Sequence, residues 1–379
     1  DGITIRGTDR NEVILDGEFE LVNGIEVLGA DGVVVENITA RNYTKNGFYW
    51  TEVDGYRGSY LTAYRNGDYG IYAFDSVNGQ FDNSYASGSP DAGFYIGQCY
   101  PCNAVIDNVV SEYNGLGYSG TNAGGDLYIV NSVFRFNRAG IVPNSGSYEL
   151  CFPERETTIA GNVVYSNNQP DSPAIDVALL AMGNGILVAG GHDNVIVRNL
   201  VEDHERTGIG LVPFPEEGPS FGIPTGEELT RPCSEVRDQE PPDPSTLPEL
   251  LLWNAQGNKV LENVVRGSGL ADLGFGSLDA VDGLGNCFSD NEFASTAPLQ
   301  LEQLAPCEGS PTATDWTAGA VDLAALIASE RPPPGDYRTQ PVPPAQPGLD
   351  DPEGAPFGPF TGPDPVDVDA IAVPAGRPD

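Results

Sequence analysis

A Gly–apolar pair that returns every 23 residues, apolar alternation between its copies, and turn residues at short intervals together predict an all-β protein. The predicted architecture is a single-stranded right-handed parallel β-helix, a solenoid with coils of about 23 residues. The anchors are Gly24-Ile25, Gly47-Phe48, Gly70-Ile71, Gly93-Phe94, Gly117-Tyr118 and Gly140-Ile141, spaced 23, 23, 23, 24 and 23 residues apart. They resume at Gly185-Ile186, Gly208-Ile209 and Gly274-Phe275, and the gaps of 45 and 66 residues each equal one coil plus an insertion. One coil cannot bury its apolar face alone. Stacking sets equivalent residues about 4.8 Å apart, so that inward Ile, Val and Phe form ladders.

A second register supports the first. Asn37, Asn83, Asn108, Asn131, Asn162, Asn199, Asn263 and Asn291 recur ahead of the anchors, and the coil at Tyr60 breaks the row. An Asn at a turn can hydrogen-bond its copies above and below, so these are read as one inner structural row.

The solenoid is expected over residues 1–307, with insertions at 145–156, 168–183 and 213–252. The second insertion contains the apolar stretch Val177-Ala178-Leu179-Leu180, which suits a short helix; the third is rich in Pro and Glu. Residues 308–379 read as an irregular Pro/Gly-rich tail, draped along the solenoid or linking to something further. The opening DGITIRGTDRNEVILDG reads as the middle of a coil. A preceding segment, signal sequence included, is therefore expected outside this numbering, and an uncapped first coil would permit end-to-end self-association.

Composition narrows the function classes. The chain has 379 residues, 40% of them hydrophobic, enough to bury a core. Its formal charge is −37, and Lys45 and Lys259 are its only lysines. Nucleic acid is excluded as a partner, because phosphates need a basic surface. A polyanionic glycan is costly unless local cations or bound metal reverse the field. No apolar run reaches transmembrane length. Six cysteines suit disulfides in an oxidising, extracellular setting. Of the fifteen pairings that six cysteines allow, Cys99–Cys102 is expected as a local staple, with Cys151–Cys233 and Cys287–Cys307 for the rest.

The repeat, the Asn row and the opening V-I-L-D-G resemble the pectate-lyase-like right-handed parallel β-helix proteins. Ser89 to Gln98 is similar to the S-x-D-A-G-[IF]-Y-[VI]-G-Q segment of bacterial parallel β-helix repeat proteins. The resemblance covers roughly Ile5 to Cys307 and implies a secreted bacterial protein of this fold. It specifies activity weakly, since the fold hosts lyases, hydrolases, epimerases, adhesins and a copper-loading protein. Lyases of the fold use an Arg or Lys base with calcium held by carboxylates, so the resemblance implies Lys45 or Arg138 as base. A polygalacturonase-like aspartate run with G-H-G is missing. So is the D-P-H of mannuronan epimerases: Tyr69-Gly70-Ile71 begins like that motif, but Ala73-Phe74-Asp75 departs from it.

Strand alternation turns the repeat into columns. Counting each anchor Gly as zero, positions +1 and +3 point inward and +2 outward, giving an outward strip of Tyr49, Tyr72 and Tyr95. Outward aromatic area with polar tips suits a sugar ring, unless a loop or the tail covers it. Position +5 supplies Glu52, Asp75, Gln98 and Asn122; position −2 supplies Lys45, Asp68, Asp91 and Arg138. Acids from adjacent coils thus flank the strip at both ends. Like charges about 5 Å apart raise one pKa or bind a cation, so Asp68 and Asp91 are candidates for calcium, and Glu52, Asp75, Asp68 and Asp91 for general acid or base. Gln98 and Asn122 join the tyrosines as candidate substrate contacts. His192 and His204 read as solvated turn residues, and two His with one Met cannot make the soft ligand set copper prefers. The leading expectation is a carbohydrate-active protein, lyase or glycosidase, whose partner is a polysaccharide or cell-surface glycan. The alternative is a non-catalytic adhesin-like or matrix protein.

Overall fold

The computed structural model describes residues 1–278 and 282–378; positions 279–281 of the expected solenoid and 379 of the expected tail lie outside the described residues. The chain winds into three long parallel sheets of ten, nine and ten strands, each strand paired with its copy from the neighbouring coil. The third sheet positions the site. Its strands Ile25–Leu28, Phe48–Thr51, Ile71–Phe74, Ala92–Gly97, Leu116–Thr121 and Ala139–Asn144 place Glu26, Tyr49, Tyr72, Tyr95 and Ser119 in one column.

The anchor glycine has a steric reason. A Cβ on Gly47, Gly70 or Gly117 would sit 2.6–2.7 Å from the carbonyl oxygen of the next anchor glycine, too close for any side chain. On the inward side Phe48, Trp50, Ile71, Phe94, Ile96 and Ile141 have no exposed surface and form the continuous core.

The asparagines are two columns rather than one row. Asn37, Asn83, Asn108 and Asn131 have left-handed φ values of 49–59° and form the corner itself. Asn162, Asn199, Asn263 and Asn291 sit one position later, turned inward. There the Asn199 amide N–H and side-chain NH2 both donate to Asn263 Oδ1 at 2.9 Å, and Asn162 and Asn263 repeat the pattern. Upstream coils use Ser84 and Ser132 in that inner position. A second inner ladder at the next corner runs through Asn66, Asn114, Asn137 and Asn167. His204 continues it. It is 2% exposed, with its Nε2 3.3 Å from Asn167 Nδ2, and burial lowers its pKa to about 3. His204 is therefore a ladder member and not a solvated turn residue; His192 is likewise buried in a bridge between Arg155 and Gln256.

The insertions pack onto the stack. Disulfides join Cys99–Cys102, Cys151–Cys233 and Cys287–Cys307, the second tying the first insertion to the third. The helix Asp176–Ala181 buries Ala178 and Ala181 on the outer face of the third sheet against Ala92, Leu116, Ala139 and Val142. The third insertion opens and closes with an antiparallel hairpin, Phe214–Glu217 with Leu250–Trp253. At the C-terminal end of the stack the short helix Leu301–Leu304 buries both its leucines.

The tail then doubles back. Pro332 and Pro333 accept hydrogen bonds from Arg138; Pro352, Ala355 and Pro356 accept from Arg6 of the first coil. Phe360 N–H donates to Gly32 at 3.1 Å. The chain turns again, and Val366, Val368 and Ile371 cover an outer patch of Val105, Val130, Ala160 and Val197. No helix among the described residues is long and apolar enough to cross a membrane.

Candidate functional site

The tyrosine column is only partly open. Tyr49 and Tyr72 are half-buried, whereas Tyr95 is 1% exposed. Its hydroxyl donates to the Glu149 carboxylate, 2.7 Å from both oxygens. Glu149 comes from the first insertion, which reaches back along the stack from the strand ending at Asn144. Asn122 and Gln98 hold that loop down. Asn122 Nδ2 donates to the Gly146 and Glu149 carbonyls at 2.6 and 2.7 Å, and Gln98 Oε1 accepts from Leu150 N–H at 2.8 Å. Both expected substrate contacts are thus engaged with protein, and Asn122 is fully buried.

The rings also stack on one another instead of lying flat. Tyr72 stacks on Tyr49 at 4.7 Å and on Tyr69 at 4.3 Å, and Tyr95 tilts against Tyr69 and Tyr72 at 4.9 Å. Burial, then nearby carboxyls, pushes the Tyr69, Tyr72 and Tyr95 hydroxyls well above the usual phenol range, so they stay neutral donors. A ligand would meet a row of hydroxyl edges more than an aromatic platform.

Two carboxyls converge on this row. Asp91, 8% exposed, has its pKa raised to about 7 by burial and by Asp68, while Tyr69 and Lys45 pull the other way. Glu149 is raised to about 8 by burial and by Asp91, opposed by Tyr95. Near neutral pH this leaves Glu149 mostly protonated, the state a general acid needs, and Asp91 shared between its protonated and ionised forms. A raised pKa alone does not mark a site in this fold. Glu154 also reaches about 8, but it is sealed inside the stack against Thr157 and Asn194.

The remaining candidates divide. Lys45 is exposed and pairs with Asp68 at 3.0 Å beside Asp91. Asp68 is thereby engaged by an ammonium and Asp91 by a tyrosine. Among the described residues, no group of three or more His, Cys, Asp or Glu is placed to hold a metal. At the other edge Asp75 pairs with Arg237 of the third insertion at 2.7 Å, while Glu52 is exposed; both occupy left-handed corners. Arg138 is not available as a base. It has no exposed surface, and its guanidinium donates to the carbonyls of Pro170, Ser172, Pro332 and Pro333, clamping the second insertion to the tail.

Sequence reasoning missed Tyr69 and Glu149. Tyr69 stands at −1, which strict alternation would turn inward with +1 and +3; Glu149 lies in a loop that has no register to read.

The family model described as right handed beta helix region matches residues 23–213, half of the chain. The chain belongs to that family. No curated protein matches it in sequence. Among solved structures, this β-helix protein is similar to the A-modules of two mannuronan C-5 epimerases of Azotobacter vinelandii. For AlgE6 the identity is 16%, covering 78% of this chain and 74% of that one, with a TM-score of 0.49; for AlgE4 the values are 13%, 78%, 80% and 0.44. It is also similar to pectate lyase Pel9A, at 13% identity over 98% of this chain and 82% of the other, with a TM-score of 0.39.

Proposed function

We propose that this β-helix protein acts on an extracellular polysaccharide by general acid–base chemistry at the Asp91–Glu149 pair. The observation that carries the reading is the placement of the pair: Glu149 accepts the Tyr95 hydroxyl at 2.7 Å and the buried Asp91 accepts from Tyr69, at the closed end of a half-open strip where burial raises the pKa of both carboxyls. A protonated carboxyl can deliver its proton to a glycosidic oxygen, while its ionised neighbour accepts one from water or from the sugar ring. Tyr49 and Tyr72 would meet the sugar, and three disulfides suit a protein working in an oxidising compartment.

The test is a polysaccharide panel with and without added calcium, read by reducing ends and by absorbance of unsaturated uronate. Reducing ends without the chromophore mean hydrolysis; both together mean elimination and point to Lys45 as base. The burial of Tyr95 and the mutual stacking of the rings favour a second reading, a non-catalytic matrix or adhesin-like protein. Silence on every substrate, from folded protein, would establish that reading over the first.

A further inference from the structure

The strip is open at one end and walled at the other. Toward the first coils the column continues through Tyr49 to Glu26, which is exposed. In the opposite direction it stops at Tyr95, which is 1% exposed and whose hydroxyl is held by Glu149 of the first insertion, a loop pinned by Asn122 and Gln98. The second insertion closes in as well: Ile175 N–H donates to the Pro90 carbonyl at 3.1 Å, and the helix Asp176–Ala181 covers Ala92, Leu116 and Ala139. Beyond Tyr95, Ser119 and Val142 of the same column are buried as well. The long edges of the open part are lined by ion pairs, Lys45–Asp68 along one and Asp75–Arg237 along the other. The Asp91 and Glu149 carboxyls stand at the wall, not midway along the strip.

We infer that the site recognises the terminus of a glycan chain and works from that end inward, a mode that rests on the proposed carbohydrate function. A chain lying along the strip cannot run on past Tyr95, because the insertions occupy the sheet face there. Its last ring stops against the Glu149 loop, and the bond presented to the carboxyls is the one nearest the end. A site open at both ends would let internal segments settle with equal ease; this wall rejects them sterically, without any special contact.

Two measurements on the unmodified protein test this. The first follows polymer viscosity against product formation, with product sizes resolved over time. The expected course is one small product from the start while viscosity holds. A rapid fall in viscosity with intermediate-length products would overturn the terminal mode and leave the proposed activity standing. The second measures binding of an oligosaccharide carrying a bulky dye at its reducing end or at its non-reducing end. We expect one isomer to bind at least tenfold more weakly, which identifies the terminus that meets the wall. Equal binding of both overturns the inference. A tenfold difference from a protein that turns over nothing would uphold terminal recognition while removing the catalytic reading, and absence of both binding and turnover removes both.

Discussion

Replacing Asp91 by Asn should flatten the dependence of stability on pH. Asp91 is 8% exposed, and its pKa rises from 3.8 to about 7 on folding. A carboxyl with a raised folded pKa binds its proton more tightly in the native state. Its contribution is fully present below 3.8 and is lost as pH climbs toward 7. Each pH unit in that window removes at most about 1.4 kcal/mol. Between pH 5 and 7 this one group therefore costs the wild type at most about 3 kcal/mol, a large part of an ordinary folding free energy. D91N keeps the shape and deletes the titration. Urea midpoints of both proteins at pH 5, 6 and 7, at constant ionic strength, give the comparison. The wild type should lose ground steadily relative to D91N. Parallel pH profiles would refute the argument, because they would show that Asp91 is solvated or already ionised in the folded protein.

Other consequences can be checked alongside. If the proposed activity is found, kcat should fall as pH rises through 7–8, and E149Q should lower it by about 10²-fold or more without unfolding the protein, as steady-state kinetics with circular dichroism would show. Phe134→Ala removes a ring with no exposed surface from the core and should cost about 3–5 kcal/mol by denaturant titration. His204→Asn restores an amide to the second ladder; since the folded pKa of His204 is depressed to about 3, the wild type loses stability as pH falls below about 6.5, and H204N should abolish that acid-side loss in the same titration. Truncation after residue 340 should bare the Val105, Val130, Ala160 and Val197 patch and speed amide exchange in the first two coils, read by mass spectrometry.

The solenoid was legible because its cause is local and repeated. The anchor glycine meets its own copy one coil away, and inward apolar residues follow a strict alternation. The same alternation placed Tyr49, Tyr72 and Tyr95 outward. It could not tell how the rings would lie, since stacking depends on Tyr69 and on side-chain torsions that no period encodes. Arg138 shares its column with Asp68 and Asp91 and so resembled a site residue; its burial is decided by the second insertion and by Pro332 and Pro333, almost two hundred positions later. The Asn columns were conflated because their members lie one residue apart, a difference that appears only when φ separates corner from ladder. His204 was hidden twice: it follows Asn114, Asn137 and Asn167 at separations of 23, 30 and 37 residues, so insertions break the period, and its charged neighbours drew it toward the surface reading.

The path of the tail sets a timetable for the molecule. Arg6 meets Pro352 across 346 residues of sequence. During synthesis at roughly 5–20 residues per second, that separation is a delay on the order of tens of seconds. Through that interval the first coil lacks its tail contacts and the valine-rich flank of the middle coils lies uncovered, with free strand edges facing whatever is nearby. Another nascent chain of the same sequence offers matching edges. Crowding of unfinished copies, rather than heat acting on finished ones, is then the condition under which this protein is most exposed to mispairing.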